Sequence, residues 1–139
     1  GLGEKTSGIS GTVGENLLEP TEIYVKEVLG ITSRHEVHGL VDITGGGLRN
    51  LLRMRKGLRY VIDDPIGPAP IFKKIQELGS VSEKEMYQTF NMSMGFMLIA
   101  PAGEAEQIVS ENRNAKVVGR VEEGAGVLME PGNLVYDHY

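Results

Sequence analysis

The segment Val41-Asp42-Ile43-Thr44-Gly45-Gly46-Gly47-Leu48 constrains this chain more than any other. A β-type run from Val37 to Ile43 empties into three consecutive glycines, and a helix-compatible stretch, Leu48 to Met54, follows at once. Strand, glycine turn and helix start is an order that can present free backbone N–H groups to an anion. Glycine lets a backbone approach a ligand closely and adopt positive φ. No Lys-Ser or Lys-Thr follows the glycines and the GxGxxG spacing is absent, so neither nucleotide motif applies. Two readings stay open from the residues alone: a phosphate-binding loop, or a plain tight turn.

At 139 residues, 40% hydrophobic and 24% charged, the chain is long enough for one domain with a real core and is not of disordered composition. Its net charge of -5 argues against a general nucleic-acid binder. It contains no cysteine, which excludes disulfides, thiolate metal sites and a Cys nucleophile, and a reducing cytosol fits. No apolar run reaches the ~20 residues of a membrane span, and no signal peptide opens the chain. Residues 1–15 begin with Gly, not Met, and are rich in glycine. They read as a flexible arm or as the remnant of a missing upstream domain, with residues 16–139 as the domain proper.

Pro20 suits a first helical position, and Val25, Val28 and Leu29 suggest an amphipathic helix ending near Gly30. Strands are expected over Val37–Ile43 and Leu58–Asp63, with a Pro-rich turn from Asp64 to Pro70. Pro70 opens the next helix, whose face is Ile71, Phe72, Ile75 and Leu78 and whose stop is Gly79. Ser82 and Glu85 have capping-box spacing and Val81 with Met86 makes a staple, so a helix runs to about Phe90. Met94–Ala100 reads as a buried strand and Gly103–Asn112 as a helix. Lys116–Val121 and Gly126–Met129 read as two strands joined by a hairpin turn at Glu123-Gly124. Alternating strands and helices make an α/β (α+β) layered domain on a mixed sheet.

His38 and Asp42 share a strand face four residues apart, but their Cβ atoms are ~13 Å apart, too far to touch. Asp42 can instead brace the glycine turn. His35 and His138 sit in polar segments that read as exposed, and no two histidines have metal-ligand spacing. Arg49, Arg53, Arg55, Lys56 and Arg59 follow the glycines, with Arg49 and Arg53 on one helix face. They form either a second layer of charge behind a phosphate or a solvated face. Asn91 ends a helix, where Asn tolerates the left-handed region. Met92, Met94 and Met97 belong either to a core strand or to an exposed contact face. Gly46→Val tests close approach to a ligand, provided the turn does not need positive φ there.

Three blocks carry a family resemblance: Leu17-Leu18-Glu19-Pro20-Thr21-Glu22-Ile23-Tyr24-Val25-Lys26, then Val37-His38-Gly39-Leu40 leading into Ile43-Thr44-Gly45-Gly46-Gly47-Leu48, and Glu85-Met86-Tyr87-Gln88-Thr89-Phe90-Asn91-Met92. Together they resemble the C-terminal half of phosphoribosylformylglycinamidine cyclo-ligases, also called aminoimidazole ribonucleotide (AIR) synthetases. The glycine block alone is shared with relatives such as selenophosphate synthetase.

The resemblance implies a three-layer α/β/α fold, partly ferredoxin-like. It implies an ATP-dependent enzyme of purine synthesis that cyclises formylglycinamidine ribonucleotide. ATP and Mg would be held mainly by an N-terminal domain that this chain lacks, so the fragment alone would be inactive. A homodimer in the cytoplasm is implied, with neither nucleic acid nor membrane as partner. Thr44, Gly45, Gly46, Gly47 and Arg49 become the candidate substrate-phosphate site, and His38, Asp42 and Asn91 the candidate cleft residues. The alternative is a stand-alone, non-catalytic phosphate-binding or regulatory module.

The chain departs from the family pattern in three places. Asp42 stands where many members have His. Ser93 stands where many have Gly. A Trp-Pro pair is replaced by Asp64-Pro65-Ile66-Gly67.

Overall fold

Tyr60, Val61 and Ile62 are consecutive and all buried, so the strand that carries them must be covered on both faces. In the computed structural model, which describes all residues from Gly1 to Tyr139, this strand is β2 (Leu58–Ile62). It pairs on one side with β4 (Gly119–Glu123), antiparallel, and on the other with β5 (Gly126–Met129), parallel. The strand β6 (Leu134–Tyr136) adds antiparallel to β5, giving a mixed sheet in the order β4-β2-β5-β6.

The hairpin expected at Glu123-Gly124 does not form. β4 and β5 are neighbours in sequence, but β2 lies between them. The two-residue link Gly124-Ala125 instead crosses the start of β2, where the Gly124 N–H donates to the Gly57 carbonyl at 3.2 Å. The physical reason is burial. β2 is apolar on both faces and takes the central position, whereas β4 carries Arg120 and Glu122 and remains an edge.

The other two strands form a separate antiparallel ladder, β1 (Gly39–Asp42) with β3 (Phe96–Ile99), in the register Leu40 to Leu98 and Asp42 to Phe96. Backbone bonds from His38 to Ile99 and from Ile43 to Gly95 extend it beyond the paired residues. Helices α3 (Pro70–Gly79), α4 (Glu83–Thr89) and α5 (Ala102–Glu111) fall where the sequence places them. The Ser82 hydroxyl accepts from the Glu85 N–H at 3.2 Å, as the cap spacing requires. The left-handed residue closing α3 is Ser80, not Gly79, and Leu78 is 74% exposed rather than on the buried face.

Helix α2 spans Val25–Thr32, so Pro20 does not start it and Gly30 does not end it. Tyr24, Val28 and Ile31 face inward, and the Tyr24 and Phe96 rings meet at 5.5 Å. That choice turns Val25 and Leu29 outward. A five-residue helix, α1 (Val13–Leu17), was not expected, although Thr12 and Glu15 form a complete reciprocal capping box there.

The core centres on Ile43, Leu48, Val61, Met86, Val127 and Met129. Met92, Met94 and Met97 join it, so they are core rather than an exposed contact face. No helix is long and apolar enough to cross a membrane.

Candidate functional site

The glycine turn lies between β1 and a seven-residue 3-10 helix, Gly47–Arg53, in the stretch where the sequence is helix-compatible. The Gly47 N–H is consumed by the Thr44 carbonyl at 3.0 Å. The N–H groups of Thr44, Gly45 and Gly46 have no hydrogen-bond partner in the protein. Three of the four donors expected from the sequence are therefore free, and the fourth is not.

Each glycine has a different reason to be glycine. Gly46 has φ 103° and Gly47 φ 50°, both left-handed. A Cβ on Gly47 would also collide with the last turn of α4, at the Tyr87 and Phe90 carbonyls. Gly45 has an ordinary φ, and a Cβ there would meet nothing within 4 Å. The turn itself places no demand on Gly45. Because Gly46 needs positive φ, Gly46→Val would strain the turn directly, and Gly45 becomes the informative position.

Asn50 braces the turn. It is buried, and its Nδ2 donates to the Gly47 carbonyl at 2.9 Å, with longer contacts of 3.4 Å to the Thr44 and Gly45 carbonyls. Sequence reasoning gave that role to Asp42, whose side chain is exposed and makes no hydrogen bond to the turn. An Asn three residues after a glycine run is a usable signal, because Asn amides hydrogen-bond nearby turn backbone.

Arg49 and Arg53 do share one face beside the turn, and both guanidiniums lie against the ring of Tyr139, Arg53 at 4.2 Å and Arg49 at 5.4 Å from the ring centre. Arg53 Nη2 donates to the Tyr139 hydroxyl at 2.5 Å. Arg49 Nε is buried with no partner. Arg59 is not part of this layer; its Nε reaches the Ala125 carbonyl at 3.4 Å, at the link across β2. Beneath the site, burial pushes the Tyr136 phenol up to about 12, and its hydroxyl donates to the Lys84 carbonyl at 2.9 Å. Tyr136 is therefore a neutral structural group.

The candidate cleft residues are not gathered. His38 is exposed and bonds Glu36 at 2.7 Å, away from Asp42. Asn91 follows Phe90, whose carbonyl borders Gly47, but its Oδ1 accepts from the Ser93 N–H at 3.1 Å. Ser93 has φ 73°, which explains why Gly suits that position, and its hydroxyl accepts from the Ala69 N–H at 2.8 Å.

His35, expected to be exposed, is buried, with Nδ1 2.9 Å from Glu104 and Nε2 3.3 Å from Glu111. It borders a cleft of about 580 Å3 that also includes His38 but not the glycine turn. No three His, Asp or Glu side chains converge as metal ligands. The turn, with free N–H groups beside two guanidiniums, offers the chemistry of an anion site and not of a cation site.

The family model described as AIR synthase related protein, C-terminal domain, matches residues 2–129. The chain belongs to that family. The AIR synthase C-terminal match takes in the glycine turn, Asn50, both arginines and Asn91, and it stops before β6 and Tyr139.

Three similar proteins bear the name phosphoribosylformylglycinamidine cyclo-ligase. The one from Methanopyrus kandleri is 54% identical over 121 residues, covering 85% of this chain and 35% of that protein. Those from Methanococcus maripaludis and Thermoplasma volcanium are 47% and 42% identical, covering 84% and 86% of this chain and 34% and 36% of theirs. This AIR synthase-related chain thus spans about a third of the length of the relatives it matches.

Proposed function

We propose that this chain is the C-terminal domain of a phosphoribosylformylglycinamidine cyclo-ligase, and that its glycine turn holds the phosphate of the ribonucleotide substrate. The observation that carries the site is the set of three unpaired N–H groups, Thr44, Gly45 and Gly46, beside Arg49 and Arg53. Backbone donors would fix the phosphate and the guanidiniums would neutralise it. Similarity to proteins of that name supports the activity.

In that reaction ATP activates the formyl oxygen of formylglycinamidine ribonucleotide. An amidine nitrogen then closes on that carbon and the formyl oxygen leaves with the phosphoryl group, giving AIR, ADP and phosphate. This chain would anchor the substrate. ATP and Mg would bind mainly to the portion of the longer protein that lies outside the matched third. That portion would cover exposed apolar side chains such as Leu18, Ile23 and Leu29, which are 83%, 81% and 64% exposed. The assembled enzyme would work in the cytoplasm as a homodimer.

Gly45→Val tests the turn, because a side chain there meets open space and leaves the fold alone. Titration with ribose 5-phosphate, followed by amide chemical shifts at Thr44 to Leu48, should show binding to the wild type and loss of at least tenfold in affinity for the variant. Equal affinity, with both proteins folded, removes the turn from the site.

A further inference from the structure

The residues after β6 return to the glycine turn. Asp137, His138 and Tyr139 make no backbone hydrogen bond, and the Asp137 and His138 side chains bond only one another. What holds this segment down is the Tyr139 side chain. Its ring lies across Arg53 and Arg49, and its hydroxyl accepts from Arg53. The same hydroxyl stands over the turn, so close that a Cβ on Gly46 would be 2.9 Å from it. Arg49 Nε, beneath, is shut off from solvent without a partner. The segment also lies beyond residues 2–129, which the family model matches.

We infer that Tyr139 is a removable cover on the glycine turn: it occupies the guanidinium faces and the approach to Gly46 that an anion would use, and it must swing away before a phosphate ester binds. The inference rests on the phosphate reading of the turn and adds its regulation. The two states compete for the same groups. In the closed state Arg53 donates to a phenol and Arg49 Nε to nothing. In the open state both guanidiniums face an anion, a stronger acceptor. Opening breaks no backbone hydrogen bond, since the segment beyond Tyr136 has none. The cover therefore lowers the apparent affinity by the fraction of time the site is open, and a ligand that binds only the open form shifts that fraction.

The experiment compares wild type, Tyr139→Ala and Tyr139→Phe by titration with ribose 5-phosphate, reading amide shifts at the turn and the Tyr139 ring resonances. Tyr139→Ala should bind tighter by roughly 2- to 30-fold, the range that one cation–π contact spans. Tyr139→Phe, which keeps the ring and loses the hydroxyl, should fall between. In the wild type the Tyr139 ring signals should move toward solvent-exposed values as ligand is added, and in Gly45→Val they should stay put.

Equal affinity of wild type and Tyr139→Ala overturns the cover while leaving the phosphate site standing. Weaker binding by Tyr139→Ala also overturns it, because Tyr139 would then be a wall of the site. If no variant binds, the phosphate reading fails and takes the cover with it. Without any ligand, Tyr139→Ala should shift the Gly46 amide, and an unmoved Gly46 overturns the contact itself.

Discussion

Gly47 sits so tightly under the last turn of α4 that any side chain on it would overlap the carbonyl oxygen of Tyr87. This contact joins the glycine block to the Glu85–Met92 block, which are 38 residues apart when counted from Gly47 to Glu85. Gly47→Ala combines a left-handed φ of 50° with a steric clash against backbone that cannot rotate away. It should cost about 2–4 kcal/mol, seen as a lower urea midpoint. A loss under about 0.5 kcal/mol would mean that the turn and α4 are not packed as described.

Asn50→Ala should loosen the turn without emptying the core. The buried amide bonds the Gly47 carbonyl at 2.9 Å, so its removal should cost about 1–3 kcal/mol. Amide exchange at Gly47 and Arg49, whose N–H groups bond the Thr44 and Gly46 carbonyls, should quicken while β2 stays protected. Uniform quickening across both regions, or none at the turn, would contradict the bracing role.

His35 predicts a pH dependence with a defined sign. The hydrogen bond to Glu104 comes first among the causes that hold its pKa above the ordinary 6.5, followed, against the opposing effect of burial, by the bond to Glu111. Arg34, 3.5 Å from Glu111, is the other charge at this contact. A folded pKa above the unfolded one means the stabilisation is complete below about pH 6.5 and is lost as pH rises through the folded value. Melting temperature should therefore fall between pH 6.5 and the more alkaline folded pKa, and His35→Gln should flatten that slope. A slope identical in the variant would assign the titration to another group.

The exposed side chains of Leu18, Ile23 and Leu29 predict stickiness. These side chains contribute little to the packed core, so Leu18→Ser, Ile23→Ser and Leu29→Ser together should change stability by less than about 1 kcal/mol. The wild-type chain should self-associate at high concentration in sedimentation runs and the triple variant should not. A wild type that stays monomeric throughout the concentration range removes the case for an interface.

The chain alone should neither hydrolyse ATP nor form AIR, because it spans about a third of the length of the relatives named for that activity and phosphoryl transfer depends on metal charge and positioning across a whole site. Magnesium-dependent ADP release above a blank by the purified 139-residue chain would refute this.

Much of the architecture was legible because its causes are local. The β2 run from Leu58 to Ile62, Pro70 opening α3, Ser82 capping α4 and the glycine turn itself all follow from residues within a few positions of one another. Membership in the AIR synthase-related family was equally a property of the sequence, since three blocks in fixed order carried it.

Only tertiary structure decided the rest. Glu123-Gly124 has hairpin chemistry, yet β2 separates its two strands, because strand partners are chosen by which apolar faces need cover and not by the turn between them. The helical period around Val25 and Leu29 fits two faces, and the fold turns Tyr24, Val28 and Ile31 inward, with the Tyr24 ring against Phe96. Asn50 rather than Asp42 braces the turn, since the bend of the 3-10 helix brings the amide over carbonyls three to six residues away. His35 meets Glu104 and Glu111, and Tyr139 meets Arg53, across separations of 69, 76 and 86 residues. No local preference encodes such a pair; it exists only once the intervening chain has folded and brought the two surfaces together.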